Sequence, residues 1–208
     1  GETLHSGIGQ GYFLSTPLQL CLMTAQLANG GFKIKPRILV DDNNEANNLQ
    51  KYLDYRNENP TPLGTIEKQI FNYNVQPLFR NQENINFVKD AMFAASNEPG
   101  GTSYGSRHRD KKFMFAGKTG SSQIKRFTPE QREAETKQSD IAYLERDHAW
   151  FIAFAPVENP KYAISVLVEH GGSGSSAAAP IAKKVIKKVI ERHEIRTAQA
   201  NQQIGQDT

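Results

Sequence analysis

Two strongly apolar stretches in the second half of the chain constrain its fold more than any other feature. AWFIAFAP and KYAISVLVE are each long enough for a β-strand, and the residues from Val157 to Pro160 lie between them. Apolar segments separated by such a short gap with turn-forming residues are typical of a β-hairpin. We therefore predict adjacent antiparallel strands near 149–156 and 161–168.

A third strand and several helices complete the predicted architecture. KFMFAGKT predicts a strand near 112–120, and IAKKVIKKVIERHEI predicts an amphipathic C-terminal helix. Thr16 and Pro17 suit a helix start, and the apolar LQLCLMTAQLA after them predicts a buried helix. ENINFVKDAMFAAS has helical spacing as well. The sequence thus predicts an α+β fold, an antiparallel sheet with the C-terminal helix on one face and the buried helix also packed on it.

Composition describes a globular chain with polar interruptions. Of the 208 residues, 38% are hydrophobic and 23% charged, and the single cysteine, Cys21, excludes an internal disulfide. We interpret the Asn-rich residues 41–62 as a surface insertion and residues 197–208 as a polar tail. We therefore expect residues 1–196 to belong to one domain. The opening GETLHSGIGQG lacks an initiator Met, and leads us to expect a part of a longer protein.

The triplet Gly117-Lys118-Thr119 fits two unrelated chemistries. A phosphate-binding P-loop needs another glycine five residues before Gly117, and position 112 is a lysine, so that interpretation fails. The stretch Gly7 to Gly11 matches a dinucleotide fingerprint poorly, since no strand precedes it. The five histidines are dispersed in sequence, so we expect neither a metal site nor a cofactor.

Lys118, Thr119 and Gly120 instead suit the end of a strand that takes part in acyl transfer. The ammonium and hydroxyl groups can hold a substrate carboxylate, and glycine admits a substrate backbone. The N–H of Ser121 can face a developing oxyanion. Small residues also simply end strands, so the triplet alone leaves both interpretations open.

Further motifs occur in order around this triplet. GIGQGYFLSTPLQL, GGT at 100–102, AGKTGSSQ, DHAWFIAFAP and VLVEHGGSGSSAAAPIA together resemble the C-terminal part of the transpeptidase domain of class B penicillin-binding proteins. The closest likeness is to the elongation-type penicillin-binding protein 2, a peptidoglycan D,D-transpeptidase. The resemblance covers nearly all of the chain outside the insertion and the tail. It implies part of the penicillin-binding and β-lactamase-like fold.

The resemblance also implies residue roles and a missing component. Lys118, Thr119 and Gly120 would be catalytic, and Ser121, Ser122 and Gln123 would bind substrate or the oxyanion. The family also needs an S-x-x-K nucleophile and an S-x-N motif. The one S-x-x-K here, Ser122 to Lys125, overlaps the K-T-G strand, and no S-x-N occurs. We therefore expect the parent protein to be a serine-type enzyme and this chain alone to be inactive.

Partners and location follow from the same resemblance. The expected ligands are peptidoglycan stem peptides ending in D-Ala-D-Ala, and β-lactams for the full protein. The expected protein partner is the membrane glycan polymerase of the elongation machinery, at the periplasmic face of the inner membrane. Without neighbouring helices, Trp150 or Ile152 would be exposed, which predicts a dimer. The alternatives are a non-catalytic peptidoglycan- or partner-binding module, and a related D,D-carboxypeptidase or β-lactamase.

Overall fold

The computed structural model describes residues 14–34, 36, 78, 81–124 and 140–204, with side chains of the last helix described up to residue 199. The main elements in chain order are α1 (Pro17–Ala28), α2 (Gln82–Asn97), β1 (Ala116–Ser122), β2 (His148–Ala155), β3 (Tyr162–Val168) and α3 (Ala179–Ile204). The predicted insertion at 41–62 and the glycines at 7–11 lie outside the described residues. Helix α3 continues through Ile204 and so includes part of the predicted tail.

Strands β2 and β3 form the hairpin that the apolar pattern predicts. They pair antiparallel, with Phe151 opposite Val166 and Ala153 opposite Ile164. Because side chains alternate between the two faces of a strand, both of these pairs lie on the same face of the sheet. The predicted α+β architecture is therefore confirmed in its central element.

Strand β1 pairs antiparallel with β2, so the described sheet has the order β1-β2-β3. It begins at Ala116, a few residues later than predicted. The reason is a short 3-10 turn at Lys111–Phe113, whose N-cap Asp110 accepts a hydrogen bond from the Lys112 N–H at 3.0 Å. This local capping competes with the extended conformation that the apolar residues favour.

One face of the sheet packs on α3. Helix α3 contributes small alanines near its start and larger isoleucines further along to this interface. Phe115 and Phe151 meet edge to face, with ring centroids 5.7 Å apart. The buried helix residues are Ala179, Ala182, Ile186 and Ile190.

Helices α1 and α2 lie over the opposite face. Leu27, Met92 and Phe154 are buried together there, and Ile152 packs against them. Trp150 and Ile152 are consequently half-buried, whereas the sequence led us to expect exposure. The packing of α1 on the sheet is confirmed, but its burial is confined to the sheet-facing side, since Leu18 remains 62% exposed.

Candidate active site

The Lys-Thr-Gly triplet lies in the middle of β1, where the strand leaves the core. Ala116 and Gly117 are buried, whereas Lys118 and the residues from Gly120 to Ser122 are exposed. The Lys118 Nζ donates to the Thr119 carbonyl oxygen at 2.7 Å. Among the described residues no strand pairs with the outer side of β1. This edge can accept an extended ligand through its backbone groups.

The C-terminal end of α2 fixes the buried half of β1. The Ser96 hydroxyl donates to the Gly117 carbonyl at 3.4 Å, and the Asn97 amide donates to the Phe115 carbonyl at 2.9 Å. On the β2 side, Gly117 permits close pairing of the strands, because a Cβ there would lie 2.7 Å from the Ile152 carbonyl oxygen. The strand is thereby held on its helix side and on its β2 side.

The loop after α2 brings a further hydroxyl to the triplet. Thr119 Oγ1 donates to Thr102 Oγ1 at 3.1 Å. Gly101 allows the chain to turn against the helix end, since a Cβ at this position would lie 2.5 Å from the Ala95 carbonyl oxygen. We assigned no role to Thr102 from the sequence, although the Gly-Gly-Thr stretch directly after a predicted helix was a usable signal.

A glycine-rich loop, Gly171 to Gly174, also packs against the triplet. A Cβ at Gly174 would lie 2.7 Å from the Gly120 carbonyl oxygen, so only glycine fits without displacement. The Ser121 hydroxyl donates to the Gly172 carbonyl at 3.5 Å. This loop therefore packs directly on Gly120 and Ser121, two of the predicted site residues.

Two histidines that are distant in sequence meet at the base of this loop. The His170 N–H donates to His148 Nδ1 at 3.0 Å, and the two rings are 4.9 Å apart in an edge-to-face arrangement. His170 has a φ of 54°, a left-handed conformation that is uncommon outside glycine. These histidines are 22 residues apart, and their spacing in the sequence did not predict the contact. In the described part of the chain, no group of three or more His, Cys, Asp or Glu side chains could hold a metal ion.

The remaining predicted site residues lie at the end of β1. Ser122 is opposite His148 in the register, and Gln123 follows the strand as an exposed residue. The structure thus brings Lys118 to Gln123 together along one strand segment. Lys125, the lysine of the S-x-x-K match, lies outside the described residues.

The single cysteine is not part of this site. Cys21 lies over β3, where its thiol donates to the Ala163 carbonyl at 3.5 Å, and β2 separates it from β1. Burial raises the pKa of the Cys21 thiol, and a backbone hydrogen bond at Ser165 opposes this in part. A raised pKa keeps the sulfur protonated, which suits the predicted role as a small packed side chain.

Solved structures with the same arrangement of sheet and helices are penicillin-binding proteins. The complex of PBP2 with MreC from Helicobacter pylori aligns with a TM-score of 0.63 at 30% identity, covering 92% of this chain and 28% of that one. PBP2 of Pseudomonas aeruginosa in complex with WCK 5153 aligns with a TM-score of 0.58 at 30% identity, covering 90% and 33%. The fold is therefore that of a penicillin-binding transpeptidase domain.

Sequence comparison leads to the same family. The family model of the penicillin binding protein transpeptidase domain matches residues 1–187, and the chain belongs to this family. The peptidoglycan D,D-transpeptidase MrdA of Salmonella typhimurium is 32% identical over 192 residues, which cover 92% of this chain and 27% of the relative. MrdA of Acinetobacter baumannii is 34% identical over 87% of this chain and 24% of its own length. The chain thus spans about a quarter of the curated relatives that it matches.

Proposed function

We propose that this chain forms one side of the substrate-binding cleft of a peptidoglycan D,D-transpeptidase, an enzyme that cross-links stem peptides through an acyl-serine intermediate. The observation that carries the proposal is the K-T-G segment with exposed Lys118 and Gly120, on a sheet edge that no described strand covers, in a chain of the transpeptidase family. An acyl-transfer site needs such a rigid strand to align a peptide backbone against the attacking group.

Each residue of the strand has a distinct part in this proposal. The Lys118 ammonium stabilises negative charge and assists proton transfer, and the Thr119 hydroxyl donates to the substrate carboxylate. Gly120 leaves room for the substrate backbone, and the Ser121 N–H donates to the oxyanion. Ser122 and Gln123 line the continuation of the same cleft.

We further propose that the nucleophile lies outside these 208 residues, so that the chain alone is not acylated. The one S-x-x-K match begins at Ser122, the last residue of β1 itself. By the family resemblance the nucleophilic serine faces Lys118 from a separate helix, whereas Ser122 lies on the same strand as Lys118. The enzyme is therefore the longer protein.

Mass spectrometry after incubation with a fluorescent penicillin tests this proposal. We expect no adduct on the 208-residue chain and a single adduct on the protein expressed from the complete reading frame. A stoichiometric adduct on the chain would identify an activated serine within it and overturn the inactivity. The absence of an adduct on the longer protein would instead favour the non-catalytic peptidoglycan- or partner-binding module.

For partners and location, we infer stem peptides ending in D-Ala-D-Ala and β-lactams as ligands, and a membrane glycan polymerase as the protein partner. The Helicobacter pylori relative was solved with MreC, which supports assembly of such proteins with other proteins at the wall. No helix among the described residues is long and apolar enough to span a membrane. We place the site at the periplasmic face, and accessibility of an engineered tag on the longer protein to an added protease in spheroplasts would test this.

A further inference from the structure

We propose that Thr102 is a positioning residue for substrate binding, because it sets the hydroxyl of Thr119 as a donor toward the ligand carboxylate. The inference rests on the proposed function and extends it to a residue outside the K-T-G strand. The observation that carries it is the hydrogen bond between the two side-chain oxygens, 3.1 Å long.

The loop that carries Thr102 is fixed on both sides of this residue. The Gly101 N–H donates to the Glu98 carbonyl at 3.0 Å. The Ser103 hydroxyl donates to the Ala95 carbonyl at 3.0 Å and lies 3.0 Å from the Ser96 hydroxyl, which also reaches the Gly117 carbonyl. Because Ser103 and Ser96 are buried, this network ties the loop to the same strand that carries Thr119. Thr102 is therefore held at a defined distance from its partner.

The proposed role of Thr102 depends on which of the two threonine hydroxyls donates in the hydrogen bond between them. A threonine hydroxyl has one hydrogen and two acceptor lone pairs, and it rotates freely between partners. The Thr119 hydroxyl donates to the Thr102 hydroxyl. When a carboxylate binds, the charge-assisted bond favours turning that hydrogen toward the ligand. Thr102 can then reverse and donate to the freed lone pair of Thr119, which strengthens the chain of hydrogen bonds.

This relay predicts an effect on binding rather than on the chemical step. The carboxylate is held both before and during acylation, so losing the relay weakens the complex without changing the rate constant for acyl transfer. Loss of one hydrogen bond to a group that itself binds a charge corresponds to roughly threefold to tenfold weaker binding. Thr102 is exposed, so its replacement leaves folding intact.

The experiment measures acylation of the complete protein by benzylpenicillin and by its methyl ester, which lacks the anionic carboxylate. For Thr102→Val we expect the dissociation constant of the non-covalent benzylpenicillin complex to rise about threefold to tenfold, with an unchanged acylation rate constant. Thr102→Ser retains the hydroxyl and should behave as the wild type. The ester should not distinguish the three proteins. In a Thr119→Val background, Thr102→Val should have no further effect.

The contrary outcomes are separable. Equal losses on benzylpenicillin and its ester, a changed rate constant, or an unaltered dissociation constant would each overturn the role of Thr102 while leaving the proposed function intact. An independent loss in the Thr119→Val background would overturn it too. A wild-type protein that neither ligand acylates would overturn the proposed function itself, and this inference with it.

Discussion

Gly117 shows how a single residue type decides whether β1 can form where it does. A Cβ at this position would lie 2.7 Å from the Ile152 carbonyl oxygen and 3.1 Å from the Ala153 Cβ, and would also meet the Phe151 ring. Backbone atoms of a paired strand cannot move aside easily. The glycine before the Lys-Thr-Gly triplet is therefore required for packing, independently of any catalytic role.

The matching prediction concerns two glycine-to-alanine variants of the chain. Gly117→Ala should lower the free energy of unfolding by about 1–3 kcal/mol, the range for an overpacked core. Gly105→Ala is the control: a Cβ there has no atom within 4 Å, and it should change stability by no more than about 0.5 kcal/mol. Urea unfolding followed by circular dichroism measures both. Equal stability of the two variants would contradict the packing argument.

At the scale of elements, helix α3 has apolar residues both on the side that packs on the sheet and on the side that faces solvent. Ile186 is buried against the sheet at 3% exposure, whereas its neighbour Val185 is 41% exposed. Residues 100° apart on a helix point in different directions, so only one of the two can face β2 and β3. The amphipathic pattern alone does not decide which of these two adjacent apolar residues faces the sheet, and the structure assigns Ile186 to it.

This separation predicts unequal costs for two adjacent truncations. Ile186→Ala removes buried methyl groups and should destabilise the chain by about 2–5 kcal/mol. Val185→Ala should cost about 0.5 kcal/mol or less, as expected for a surface position. Denaturant midpoints with a constant slope would report both values. A larger loss at Val185 would mean that the helix packs on the sheet in another rotation.

The elements that were predictable from sequence are those defined by local patterns. The hairpin of β2 and β3 follows from two apolar stretches and the turn residues between them, and the start of α1 from Thr16 and Pro17, which the structure has as N-cap and first helical residue. The start of β1 was not predictable, because the cap at Asp110 outweighs the apolar residues that follow it. The contacts of Thr102 with Thr119, and of His148 with His170, depend on how distant segments close on each other. The spacing of these residues in the sequence does not show which partner each of them contacts.

For the molecule as a whole, the sheet lies between two helical layers, and the candidate site lies where β1 leaves both of them. The loop after α2 reaches the triplet through Thr102, and the Gly171–Gly174 loop packs on Gly120. Both loops depend on glycines that permit backbone contact. The rigidity of the site is therefore a property of the packing of the whole domain.

Self-association is a property of the whole molecule, and the structure points to different exposed residues for the predicted dimer than the sequence did. Trp150 and Ile152 are half-buried, so the strands do not provide the exposed surface. Instead Leu14, just before α1, is 92% exposed, Leu18 on the outer side of α1 is 62% exposed, and Phe87 on α2 is also exposed. Apolar side chains of this size in water favour association with a second copy.

We therefore predict that the 208-residue chain self-associates through the outer side of α1, and that Leu18→Glu weakens this association. A glutamate in an apolar interface loses solvation without gaining a partner, so the fraction of dimer should fall severalfold at equal concentration. Gln82→Glu, at an exposed position on α2, adds the same charge without removing an apolar side chain and should leave the dimer unchanged. Sedimentation velocity over a concentration series distinguishes the three proteins. A wild-type chain that stays monomeric throughout would show that the exposed leucines do not drive association, and equal effects of both variants would assign the change to net charge.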